Sequence, residues 1–142
     1  MKRRSKRLVP ILALLALPAA AVFADDLTGQ QSFLCTPVEV AICNDNGECA
    51  KDTPWDLNIP QFIQVDLAAK KLSTTPASGE NRSTPILAVI RENGEIYLQG
   101  VEMGRAFSFV IDEKTGMLSA AVARAGLAVS AFGACTPMPA PK

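Results

Sequence analysis

Residues 43–49, CNDNGEC, place two cysteines, two carboxylates, two asparagines and a glycine in one short stretch. These residue types suit a calcium loop, a thiolate metal clip, a redox switch or a disulfide-pinned turn. The EF-hand template needs glycine sixth, and setting Gly47 there puts Ile42 first and Thr53 twelfth, where carboxylates belong. The template fails at both anchors, leaving Asp45 and Glu48 as a looser cation site at most. A zinc site of cysteines alone is disfavoured in an oxidising compartment, where paired cysteines become disulfides. The pinned turn is the reading that the rest of the chain supports.

No histidine occurs in the 142 residues. That removes histidine triads, histidine zinc ligands and the usual acid–base side chain together. Lys114-Thr115-Gly116 matches the KTG element of penicillin-recognising serine enzymes, yet the chain has no Ser-x-x-Lys and no Ser-Asp-Asn. The carboxylate pairs Glu92/Glu95 and Asp112/Glu113 fall at expected turns, where acids face solvent. Asn81-Arg82-Ser83 has the form of a glycosylation acceptor and reads as an exposed loop. No enzyme, metal site or cofactor is expected.

The chain opens MKRRSKRLVPILALLALPAAAVFADD: a basic start, an apolar run and a small-x-small close at Val22-Phe23-Ala24. Residues 1–24 read as an export signal and residues 25–142 as one mature domain. The apolar run holds two prolines and is short of the roughly 20 residues of a spanning helix, so no membrane span is expected after cleavage. The whole chain has 14 basic and 14 acidic side chains. The leader carries Lys2, Arg3, Arg4, Lys6 and Arg7, so the mature part keeps 9 basic against 14 acidic, a net charge of −5. Such a surface disfavours nucleic acid and anionic lipid. A periplasmic or secreted protein is expected.

Four cysteines in an exported domain of this size imply two disulfides. Cys35 and Cys43 lie in the extended run SFLCTPVEVAIC; at ~3.3 Å per residue they stand ~26 Å apart, too far to bridge without a sharp bend at Pro37. Cys43 and Cys49 suit a hairpin with a three-residue loop, Asp45-Asn46-Gly47, which sets 44 opposite 48 and 43 opposite 49. Cys35 then pairs with Cys135, closing a loop of about 100 residues.

These bridges must be carried by short β segments. Alternation and turn chemistry predict strands at 33–43, 61–67, 70–74, 85–91, 95–101, 105–112, 117–123 and 127–135. Asn93-Gly94 is the strongest hairpin signal, and Gly116 ends the turn DEKTG. The fold class is all-β: an antiparallel meander of about eight strands, barrel or barrel-like, stapled by two disulfides. The alanine-rich run MLSAAVARAGLAVSAF also scores as a helix broken at Gly126. STTPASGENRSTP, 73–85, reads as a flexible connection. The strands are too short, and their faces alternate too poorly, for an outer-membrane barrel.

The runs IPQFIQVDLAAKKL and LQGVEMGRAFSFVIDEKTGMLSAAV and the close AFGACTP resemble a group of small exported bacterial proteins with spaced N-terminal cysteines and a final FGAC. The resemblance spans Cys35 to Pro137 and implies a shared fold and compartment, without an activity. In size, export and disulfide closure the chain is also similar to the periplasmic inhibitors of C-type lysozyme. Their Ser-Gly-x-x-Tyr-like loop is met here by Ser78-Gly79-Glu80-Asn81-Arg82, which lacks the tyrosine.

The leading functional expectation is a non-catalytic interaction or inhibitor module acting on a protein partner. It uses the loops 44–60 and 73–84, with Asp45, Glu48, Trp55 and Arg82 as candidate contact residues. The alternative is a lipocalin-like carrier of a small apolar ligand; Ala120, Ala121, Ala123, Ala128 and Ala131 near Phe107 and Phe109 suit either room for that ligand or strands packed tightly on a filled core. Most large aromatics are expected to fill the core, with Trp55, after Pro54, covering one mouth.

Overall fold

The computed structural model describes residues 26–138. The expected signal peptide, 1–24, and the last four residues lie outside them. The described chain is all-β, with ten antiparallel strands in one curled half-barrel sheet. They are β1 (Ser32–Asn44), β2 (Cys49–Asp52), β3 (Ile63–Asp66), β4 (Lys71–Thr74), β5 (Ser83–Pro85), β6 (Ala88–Glu92), β7 (Glu95–Glu102), β8 (Arg105–Asp112), β9 (Met117–Arg124) and β10 (Leu127–Pro137). Among the described residues no helix is long and apolar enough to cross a membrane.

The count exceeds the expected eight by β2 and β5, whose three or four residues are too short to show alternation. The sheet order is β5-β4-β3-β1-β10-β9-β8-β7-β6, with β2 on β1. This is meander order around a curl that joins first strand to last, along a ladder from Phe33↔Pro137 to Asn44↔Leu127. The expected strand 85–91 is instead one run, 83–92, in two parts. Its first part pairs with β4 and its second with β7. The switch falls at Ile86 and Leu87, whose amides bond Lys70 O at 2.8 Å and Gln99 O at 2.8 Å. The two edges of the curled sheet therefore meet along a single stretch of chain.

β1 serves two neighbours on its other side, β3 through Ser32–Cys35 and β2 through Val40–Cys43. Pro37, which has no N–H to donate, sits in the gap between them. The register with β10 slips between Pro37 and Glu39, making Val38 the extra residue of a bulge. Gly133 stands opposite Pro37 at this bulge.

The alanine-rich end is two strands, not a broken helix. Leu118, Ala120 and Val122 turn inward while Met117, Ser119, Ala121 and Ala123 turn outward, so the period of two decides once β8 and β10 supply ladders on both sides. Gly126 takes φ +77° at the β9–β10 turn. Asn93 and Gly94, both at positive φ (54° and 81°), make the expected β6–β7 hairpin.

Both disulfides form as paired above. Cys35 faces Cys135 across β1 and β10, with Cα atoms 4.0 Å apart, and Cys43 faces Cys49 across β1 and β2 at 4.1 Å. The three-residue loop is also as expected: Asn44 N donates to Glu48 O at 2.9 Å, and Gly47 sits at φ +85°.

One end of the half-barrel is plugged. Leu27, fully buried, donates its amide to Glu113 O at 2.6 Å and packs with Phe33, Val65, Ile96 and Ile111 around the buried Cys35–Cys135 bridge. Arg91 holds the same end, pairing with Glu113 at 3.3 Å and donating to Gln30 O. In the neighbouring β8–β9 turn, Asp112 accepts from the Thr115 hydroxyl and amide, both at 2.8 Å, and from the Lys114 amide at 3.0 Å.

The Thr115 hydroxyl bond, with those amides, holds the Asp112 carboxyl below its usual range. A lowered folded pKa stabilises the fold above the ordinary value of about 3.9, and this contribution is lost as pH falls through the folded value. In an NMR titration the Thr115 amide should move with a midpoint below ~3.9. A midpoint at or above it would mean the cap does not form in solution.

Candidate functional site

At the end opposite the plug, the inner faces of the strands do not meet. A cavity of about 440 Å³ lies there, walled by residues from β1, β3–β5 and β7–β10, by the loop between β2 and β3 and by the β4–β5 connection. Its depth is apolar: Phe107 and Phe109 on β8, Leu118, Ala120 and Val122 on β9, Leu127, Val129 and Ala131 on β10. The alternation that sends these side chains inward also explains the space. On β9 the inward position opposite Phe109 is Ala120, and the next one across, on β10, is Ala131; their methyl groups leave room that larger residues would occupy. Phe107 and Phe109 stack tilted at 58°, with centroids 5.6 Å apart.

Gly100 lets the Phe107 ring lie where it does. A Cβ there would come within 2.4 Å of the ring and 2.9 Å of Pro85 O.

The gap that β1 leaves beside Pro37 is covered by the 53–62 loop. This loop winds on buried Pro54, whose carbonyl accepts from the amides of Leu57 (3.3 Å) and Ile59 (2.9 Å). Leu57, Ile59 and Pro60 thereby line the cavity. The loop is tied to the β4–β5 connection by Ser78, whose hydroxyl accepts from Phe62 N at 3.1 Å and donates to Phe62 O at 3.0 Å. That connection, expected to be flexible, is folded: a 3-10 turn over Pro76–Ser78, closed by Gly79 in the left-handed region. Polar residues without apolar periodicity carry no sign of bonds made to a partner 16 positions away.

The open end is ringed by charge. Arg82, Arg105, Arg124 and Glu102 all line the cavity. Arg82 Nε lies 2.8 Å from Glu80 Oε2, in an ion pair that lacks good hydrogen-bond alignment, and its Nη2 reaches Asn58 O at 3.4 Å. Glu102 Oε1 accepts from the hydroxyl of Thr84, a residue only 5% exposed, at 2.7 Å. This bond crosses the seam where β5 and β7 run side by side without a ladder.

The four expected contact residues are divided. Asp45 and Glu48 are exposed in the pinned turn, where the Glu48 carboxylate accepts from Asn46 Nδ2 at 2.9 Å. Among the described residues no cluster of three or more Cys, Asp or Glu side chains is disposed to hold a metal. Trp55 is 69% exposed and stands outside the cavity wall, so it does not cover the mouth as expected. Leu57 and Ile59 line the cavity instead, because the chain after Trp55 winds back onto the Pro54 carbonyl, which accepts from both their amides. Arg82 alone of the four reaches the cavity. Arg105, Arg124, Glu102 and Thr84 were not legible as site residues. The available signal was parity: Arg105 shares its face with Phe107 and Phe109, and Arg124 with Val122 and Ala120.

The fold and this cavity define a one-ended β half-barrel, plugged at one end and open at the other. No protein-family model matches the chain, and no curated protein matches it in sequence.

Proposed function

We propose that this protein is an exported, non-catalytic carrier that takes a small apolar ligand into the half-barrel. The observation that carries this reading is the cavity of about 440 Å³, within the ~300–1,000 Å³ usual for small-molecule sites. Its wall has the composition such sites use: aliphatic and aromatic side chains below, a few polar groups above. Export rests on the leader and is consistent with two disulfides. The interaction module, the leading expectation from the sequence, becomes the second reading, favoured by the exposed Trp55 on an ordered loop beside the mouth. Trp55→Ala is then expected to abolish capture of a partner protein without changing uptake of a small ligand.

Native mass spectrometry of gently purified protein, alongside the same sample denatured, tests the carrier directly. A mass excess that disappears on denaturing supports it. Ala120→Trp, which fills the cavity, is expected to weaken binding of a neutral naphthylamine dye at least tenfold while the melting temperature stays within a few degrees. Unchanged dye binding in a folded variant would remove the cavity as the ligand site.

A further inference from the structure

Arg105 and Arg124 raise a separate question. They stand at the mouth ends of β8 and β9, one position beyond the paired Ala106↔Ala123, so the same register sets them opposite each other. Like charges opposed across two strands destabilise a sheet. Both belong to the inward-facing series of their strands, and both line the cavity. Among the described residues the ion pairs are Arg82–Glu80 and Arg91–Glu113, and neither Arg105 nor Arg124 has a carboxylate within 4.0 Å. The nearest candidate along the sheet is Glu102, which faces Arg105 in the β7–β8 register. Its carboxylate is turned to Thr84 instead. Two guanidiniums without acidic partners thus cap an apolar chamber in a protein whose mature charge is net negative.

We infer that the ligand is an amphipathic anion, its apolar tail in the chamber and its acidic head between Arg105 and Arg124. This rests on the carrier reading above and adds the chemical class. A guanidinium fork recognises a planar carboxylate, sulfonate or phosphate oxygen pair, and the head would relieve the repulsion between the two arginines. Placing the charge at the mouth keeps the acid next to water while the tail alone is desolvated, which avoids burying an unpaired ion. The assignment also explains why these positions are arginine. Glutamine there would end the strands without mutual repulsion.

The test is displacement of the neutral naphthylamine dye, at neutral pH and low salt, by decanoate, decanol and decyltrimethylammonium, which share a tail and differ in head. Decanoate is expected to displace the dye at concentrations at least tenfold lower than decanol, and the cation is expected to be weakest. In Arg105→Gln/Arg124→Gln the advantage of decanoate over decanol should shrink to about threefold or less with dye affinity retained. Lys51→Gln/Lys71→Gln removes the same charge from exposed positions outside the cavity and should leave the advantage intact. Equal displacement by decanoate and decanol in the native protein overturns the assignment of the head group while the carrier reading stands. Failure of the dye and all three probes to bind overturns both. The native ordering of the three probes decides the question even if the double variant does not fold.

Discussion

Removing the Cys35–Cys135 bridge by Cys35→Ala/Cys135→Ala is expected to lower the melting temperature by about 15–20 °C. The two cysteines are 100 residues apart in sequence, and closing a loop of that size restricts the unfolded chain by an amount the chain-entropy model sets at about 4.7 kcal/mol. For a domain of this size each kcal/mol shifts the midpoint by roughly 4 °C. The native state has little to lose besides the sulfur contacts themselves. β1 and β10 stay joined by the ladder running on both sides of the bridge, and Leu27, Phe33 and Ile111 still pack around it. The effect should therefore appear largely in the unfolded ensemble, and the slope of urea unfolding should rise as that ensemble expands. The matching pair Cys43→Ala/Cys49→Ala opens a loop of sequence separation only 6, for which the same model gives about 2.4 kcal/mol. Calorimetry of both variants checks the ranking. An equal or smaller loss at Cys35–Cys135 would show that loop closure does not govern these bridges.

Gly133→Ala should be nearly as damaging for a change of one methyl group. A Cβ at position 133 would lie 2.1 Å from Thr36 O and 2.9 Å from Pro37 Cα. Both are backbone atoms, so no side chain is able to move aside. Relief requires β1 and β10 to separate at the bulge, which holds Val38 out of register and leaves it 63% exposed. A cost of about 3 kcal/mol or more is expected, at the upper end for single substitutions, because the strain falls on the ladder that joins first strand to last. Urea denaturation reads it directly. A loss under ~1 kcal/mol would mean that the two strands do not approach so closely in solution. Ala131→Gly, two residues along on the same face, introduces no such clash and serves as the comparison.

Much of this molecule was legible because the deciding physics is local. Asn93-Gly94, Asp45-Asn46-Gly47 and Gly116 each carry a turn that the neighbouring residues alone determine, since positive φ is open to glycine and asparagine and closed to most others. Those turns placed Cys43 opposite Cys49, and elimination then paired Cys35 with Cys135. Where local signals balanced, the reading stayed open. The Met117–Phe132 segment offered both helix and strand, and nothing within it could choose until β8 and β1 supplied partners on its two flanks. β2 and β5 were missed because a strand of three or four residues is made by its neighbour rather than by its own pattern.

By itself, the sequence determined an all-β, doubly bridged domain, its turns, the lack of histidine and the acidic balance of residues 25–142. These follow from residue inventory and nearest-neighbour sterics. Only the tertiary structure decided that the meander curls so that β1 meets β10, that chain 83–92 joins the two sheet edges, and that the interior is hollow toward one end. It also decided that Arg105 and Arg124 share that hollow. Each of these depends on curvature and on which side chains meet across strands far apart in sequence, and a chamber is defined by the volume its walls leave unfilled, a quantity that no single stretch of the chain contains.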